Sequence, residues 1–139
     1  MAKYGSNSFI VSIDNSGGTP VTMTNYIRTI GDVDIKAMMQ ESTAFGDAWM
    51  EKLSTGMLEA GSITLGGYYD DTSSTGPDAI FNDVATGPTD STRTLLLTWG
   101  GSKTTSGEVW ISAYKRTATV GELTAFEVTL EYTGTVTEA

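Results

Sequence analysis

The side chains able to do chemistry are few in this sequence, and what is missing narrows them further. The 139-residue chain has no histidine and no cysteine. It therefore lacks the commonest general base, the commonest metal ligand and any thiolate nucleophile. No Gly-x-Ser-x-Gly elbow occurs, and a serine triad needs a histidine. Gly101-Ser102-Lys103-Thr104 resembles the end of a phosphate-binding loop in composition. The glycine does not directly precede the lysine, however, and no glycine stands at the required upstream position. Carboxylates remain. Asp70, Asp71 and Asp78 offer hard oxygen ligands, but their spacing is not that of an EF-hand and no glutamate fills the bidentate position. A carboxylate pair for glycoside hydrolysis can be drawn from any of the 17 acidic residues, and nothing singles one out. Trp49, Trp99 and Trp110 are candidates for a sugar-stacking platform, with the last two on neighbouring expected strands. The competing role is packing in a β core or a subunit interface. The expectation is a protein that is not an enzyme, with no catalytic residue, no metal site and no cofactor.

Charge and length set the frame around these residues. The net charge is −9, from 17 acidic and 8 basic residues. Gripping nucleic acid needs clustered Lys and Arg, so this balance argues against it. It is compatible with a surface past which nucleic acid slides. A length of 139 residues suits one domain, 1–139, with a core large enough to stand without disulfides or metal. No run of 18 apolar residues predicts a transmembrane helix, and residues 1–7 carry no apolar stretch of a secretory signal, so no membrane anchor is expected. Absence of cysteine fits folding in a reducing cytoplasm.

Thr, Ser and Gly dominate while Lys, Arg and Leu are sparse, which favours strands and turns. Residues 8–14 alternate with Phe9, Val11 and Ile13 on one face, and 15–20 compose a turn. Residues 21–30 read equally as a helical turn or the start of a strand. Alternation returns over 35–45. Asp47 then reads as an N-cap for a short helix over 48–54, with Trp49, Met50 and Leu53 on one face and Gly56 past its end. A strand follows over 62–69. A second short helix is predicted over 77–84, with Pro77 at its first position and Asp78 in its first turn. Strands are predicted over 93–99 and 108–114, separated by a loop over 100–107. In the last strand, 125–133, Phe126, Val128, Leu130 and Tyr132 face one way and Glu127, Thr129, Glu131 and Thr133 the other. The fold class is therefore mainly β, an antiparallel sandwich or barrel with one or two short helices.

Several segments, in order along nearly the whole chain, resemble the major tail tube proteins of long-tailed, siphovirus-type bacteriophages. They are the opening Met1-Ala2-Lys3-Tyr4-Gly5-Ser6 running into Phe9-Ile10-Val11, and Val33-Asp34-Ile35 followed by Glu41-Ser42-Thr43-Ala44-Phe45-Gly46-Asp47-Ala48-Trp49. Next come Gly61-Ser62-Ile63-Thr64-Leu65-Gly66-Gly67-Tyr68-Tyr69-Asp70 with Gly76-Pro77-Asp78-Ala79-Ile80-Phe81. The last are Gly121-Glu122-Leu123, Phe126-Glu127-Val128-Thr129-Leu130 and Thr133-Gly134-Thr135-Val136-Thr137.

The resemblance implies a tail tube fold and a structural role. Copies would form homohexameric rings that stack into a tube conducting genomic DNA from capsid to host cell. The implied partners are further copies of the chain, tail tip or initiator proteins, tail terminator proteins, and a tape measure protein and DNA held loosely in the lumen. The implied location is the virion tail, with host cytoplasm during assembly. On this reading, segment 46–61, carrying Trp49, Met50, Leu53, Met57 and Leu58, is the candidate ring-to-ring contact, because it holds too many apolar groups for a free loop. The alternative is that it caps the domain's own core. Glu127, Thr129 and Glu131 are the candidate lumen-facing row, though that face could equally meet outer solvent. Two other classes compete: a carbohydrate-binding or adhesion β-sandwich, and a small hydrolase using a carboxylate pair.

Overall fold

The computed structural model describes residues 3, 5, 8–15, 17–73, 75–82 and 92–139. The elements in chain order are β1 (Ile10–Asp14), β2 (Pro20–Thr22), β3 (Ile27–Ile30), β4 (Lys36–Glu41), β5 (Lys52–Glu59), β6 (Ser62–Tyr68), α1 (Pro77–Phe81), β7 (Arg93–Gly100), β8 (Lys103–Thr117) and β9 (Ala125–Glu138). Seven strands form one antiparallel sheet in the order β2-β1-β7-β8-β9-β6-β3, while β4 and β5 form a separate two-stranded ribbon.

The edges of the large sheet explain its shape. β2 and β3 lie at opposite ends of the strand order, yet only residues 23–26 separate them in sequence. The sheet must therefore curl until its two edges nearly meet. The joint is tied on both sides: the Met23 amide donates to the Val11 carbonyl at 2.8 Å, and the Tyr68 amide donates to the Tyr26 carbonyl at 3.1 Å. Gly67 makes this closure possible. A Cβ there would stand 1.9 Å from the Tyr26 carbonyl oxygen, so no side chain fits.

Curling turns one face of every long strand inward. Val11 and Ile13, Leu95 and Leu97, Val109, Phe126, Val128 and Leu130, and Ile63 and Leu65 are all buried in one cluster. Their period of two is what a one-sided sheet requires. Helix α1 plugs the remaining opening with Ile80 and Phe81, both buried. The Phe81 ring sits 5.8 Å from Phe126 and 6.2 Å from Tyr114. Asp78 anchors the plug: its Oδ1 accepts from the Tyr114 hydroxyl at 3.0 Å and from Arg116 at 3.3 Å. Burial, and then the Asp78 carboxylate, push the Tyr114 hydroxyl well above its ordinary pKa, so it stays a donor. The result is a mainly β half-barrel built from one curled sheet.

Two expectations change. The helix expected over 48–54 does not form; residues 52–59 are strand β5, paired with β4 from Glu41↔Lys52 to Lys36↔Glu59. Asp47 caps backward, accepting from the Ala44 amide at 2.7 Å, rather than forward into a helix. Thr55 and Gly56 are poor helix formers, and Gly56 at φ 83° lies within the irregular register opposite Met38. The loop expected over 100–107 shrinks to a turn at Gly101-Ser102. Thr104 and Thr105 belong to β8 and pair with β7. The second helix starts at Pro77 as expected and runs to Phe81, while Val84 lies outside the described residues. The ambiguous stretch 21–30 resolves into the end of β2, a turn and β3.

Candidate functional site

The strongest exposed feature is the β4–β5 ribbon. Every residue of both strands is exposed. Among its apolar side chains Trp49 is 86% exposed, Met50 71%, Leu53 64%, Met57 64% and Leu58 73%. Phe45, Met38 and Met39 join them on the same ribbon and its tip. In the single chain these side chains of residues 46–61 do not pack against the domain's own core. An open cleft of about 530 Å³, lined in part by Leu58, Gly61, Ser62, Glu131 and Tyr132, separates its base from the sheet. Isolated soluble domains rarely display so much contiguous apolar surface without a partner for it.

The other candidate surface is the outer face of the large sheet. Glu127 and Glu131 are exposed on it and Thr129 is half-buried. The register places Glu127 between Lys115 of β8 and Gly66 of β6, Thr129 between Ala113 and Thr64, and Glu131 between Trp110 and Ser62. Lys115 reaches Glu127 at 3.5 Å, so one carboxylate of the expected row is neutralised by a cation that sequence reasoning did not pair with it. Glu108 lies further along the same face and accepts hydroxyls from Thr92 at 2.8 Å and Thr94 at 2.6 Å. The face carries Ser, Thr and Glu around Lys115, together with exposed Trp110 on β8, Leu96 on β7 and Ile10 on β1, and Arg28 stacks on Tyr68 at 5.6 Å toward its β3 edge.

Among the described residues, the candidates Trp99 with Trp110, Asp70 with Asp78, and Gly101-Ser102-Lys103-Thr104 do not come together as sites. Trp99 has the parity of buried Leu95 and Leu97, packs edge-on against Phe9 at 4.9 Å, and donates its indole N–H to Thr105 at 2.8 Å. Trp110 has the opposite parity, on the outer face of β8. The register puts Trp99 beside Lys103 and Trp110 beyond the Arg93↔Val109 pair, some ~20 Å apart along the strands. No stacking platform forms from them. Asp78 is engaged with α1's anchor, and Asp70 accepts from the Thr72 hydroxyl and from its amide at 2.7 Å, bonds that lower its pKa in that order. Gly101-Ser102-Lys103-Thr104 is a hairpin turn running into a strand, with no helix after it.

No protein-family model and no curated protein sequence matches the chain. Solved structures do. The tail of an empty gene transfer agent particle, refined with C6 symmetry, superposes with TM-score 0.74 at 15% identity over 99% of each chain. A chain of the anti-feeding prophage baseplate superposes with TM-score 0.78 at 12% identity, over 100% of this chain and 97% of its own. The SPP1 tail tube superposes with TM-score 0.68 at 12% identity, over 98% of this chain and 78% of its own. The chain thus shares its fold, end to end, with subunits of phage-type tails and contractile injection systems.

Proposed function

We propose that this chain is the structural subunit of a bacteriophage-type tail tube, forming homohexameric rings that stack into a hollow conduit for genomic DNA. The observation that carries the reading is the β4–β5 ribbon: an apolar arm standing off a self-sufficient half-barrel, in a chain whose whole length superposes on tail subunits. The C6 symmetry of the gene transfer agent tail supports a ring of six. The arm is the ring-to-ring contact, with Trp49, Met50, Leu53, Met57 and Leu58 covered by a subunit of the adjacent ring. Terminator and initiator proteins meet the exposed arms or the bare faces of the end rings. A head-to-tail contact of this kind propagates rather than closing on itself.

The polar outer face of β8, β9 and β6 lines the channel in this reading. Hydroxyls and carboxylates repeated around a ring present a negative wall, with a reach of about 10 Å at 0.1 M salt. DNA and a tape measure protein pass along it without tight binding. The protein would sit in the virion tail after folding in the host cytoplasm.

Negative-stain images of the purified protein, at high concentration and with an initiator complex, test the assembly. Rings or tubes are expected; a monomer under every condition by light scattering overturns it. The lumen assignment is tested separately with virions carrying Glu127→Lys and Glu131→Lys. Normal assembly with slowed, salt-dependent DNA ejection is expected, whereas ejection at the wild-type rate places this face elsewhere.

A further inference from the structure

The methionines are distributed unevenly. The chain has six, and four of them, Met38, Met39, Met50 and Met57, lie on the β4–β5 ribbon or its tip. Their exposures are 46%, 57%, 71% and 64%, while Met23 in the core is 0% exposed. Met38 lies beside the bulge that contains Met57, and its carbonyl accepts the Thr55 hydroxyl at 3.1 Å. A flexible thioether suits a surface that must adapt to a partner. The same sulfur is open to oxidation wherever it is exposed. With no cysteine in the chain, no thiol competes for a mild oxidant.

We propose that Met38, Met39, Met50 and Met57 form a peroxide-sensitive modification site, and that the ribbon docks on a second copy of this chain only while they are reduced. The inference rests on the reading of the ribbon as the subunit contact. In the reaction, a sulfur lone pair attacks one oxygen of hydrogen peroxide. The S–O bond forms as the O–O bond breaks, and the departing oxygen leaves as water. Sulfur is oxidised by two electrons and the peroxide is reduced. Each sulfoxide puts a polar, chiral group where an apolar thioether would meet the partner, and burying it without a hydrogen-bond donor opposes docking. Only the free subunit offers the site, because docking covers it. Oxidation therefore acts on the pool of unassembled subunits and spares finished assemblies.

The test treats the full chain with hydrogen peroxide, removes the peroxide with catalase, and reads each methionine by peptide mass spectrometry alongside light scattering and electron microscopy. Met38, Met39, Met50 and Met57 should gain one oxygen each while Met23 stays unmodified. The critical concentration for assembly should rise by at least about tenfold. Methionine sulfoxide reductases should restore it. The variant Met38→Leu, Met39→Leu, Met50→Leu, Met57→Leu should assemble with or without peroxide, since leucine keeps the apolar volume. Complete oxidation without change in assembly overturns the proposal, as does equal peroxide sensitivity in the leucine variant. Preformed tubes separate the two readings. Ribbon methionines that oxidise there as fast as in the free subunit show that the ribbon is not the contact, which overturns the docking reading and the gate together. Protected methionines in tubes, combined with unimpaired assembly of the oxidised chain, overturn the gate alone.

Discussion

The seven-stranded sheet and the β4–β5 ribbon are both antiparallel β structure, but only the sheet has an inside. In the sheet, alternate residues of five strands converge on one cluster, and the helix α1 stops its open side. In the ribbon, strands of 6 and 8 residues bury none of their side chains. Two strands alone are marginal in water, because the backbone entropy of ordering them is not offset by burial. The difference shows how one chain divides its labour. The sheet supplies the buried core, and on the function proposed above the exposed apolar ribbon is the part that a neighbouring copy would cover.

The comparison breaks most severely where the sheet closes. Gly67→Ala forces a Cβ against the Tyr26 carbonyl, which lies 1.9 Å from the ideal position. It should cost about 3 kcal/mol or more, read as a lowered urea midpoint. An unchanged midpoint would mean that the β3–β6 edge does not hold the curl. Next comes the core itself. Leu65→Ala should cost about 2–5 kcal/mol, whereas Leu53→Ala in the ribbon should cost less than about 0.5 kcal/mol in the unassembled subunit. Comparable losses in the two variants would show that the ribbon packs on the sheet in solution.

A smaller effect of opposite sign is expected at Tyr132. Its hydroxyl is buried without a hydrogen-bond partner, and burial followed by the charge of Glu138 pushes its pKa up to about 12, from 10.0. Tyr132→Phe removes the orphaned donor and should stabilise the subunit by about 1 kcal/mol. The raised value also has a pH signature. Below pH 10 the hydroxyl is protonated in both states and its full contribution is present. As pH rises from about 10 to about 12, the unfolded chain releases this proton first, so stability falls. Denaturation midpoints across that window should drop less steeply in the phenylalanine variant than in wild type.

The smallest effect on the subunit should accompany the largest on assembly. Met50→Asp with Met57→Asp should shift subunit stability by less than about 0.5 kcal/mol, because both side chains are already in water. Tube growth should stop, since carboxylates would have to be buried in an apolar contact. Unfolding of this variant as a monomer would return the ribbon to the domain core.

Sequence by itself determined the mainly β class and the buried rows. Phe126, Val128 and Leu130 alternate with Glu127, Thr129 and Glu131, and a period of two admits one assignment of faces once one side is apolar. It also located α1, because Pro77 and Asp78 mark a helix start whatever surrounds it. It excluded histidine and cysteine chemistry outright. Tertiary structure alone decided the rest. Trp49, Met50 and Leu53 satisfy helical spacing, and only the pairing of residues 52–59 with 36–41 shows that those backbone groups are bonded across a ribbon. The Gly100 to Gly107 stretch looks like a loop until Thr104 and Thr105 meet β7. The closing of β2 and β3 around Gly67 joins residues far apart in sequence, and the Lys115–Glu127 ion pair depends on the exact register of β8 against β9. Local periodicity carries which face of a strand is wet; it does not carry which strand lies beside it, because that depends on contacts made only when the sheet curls.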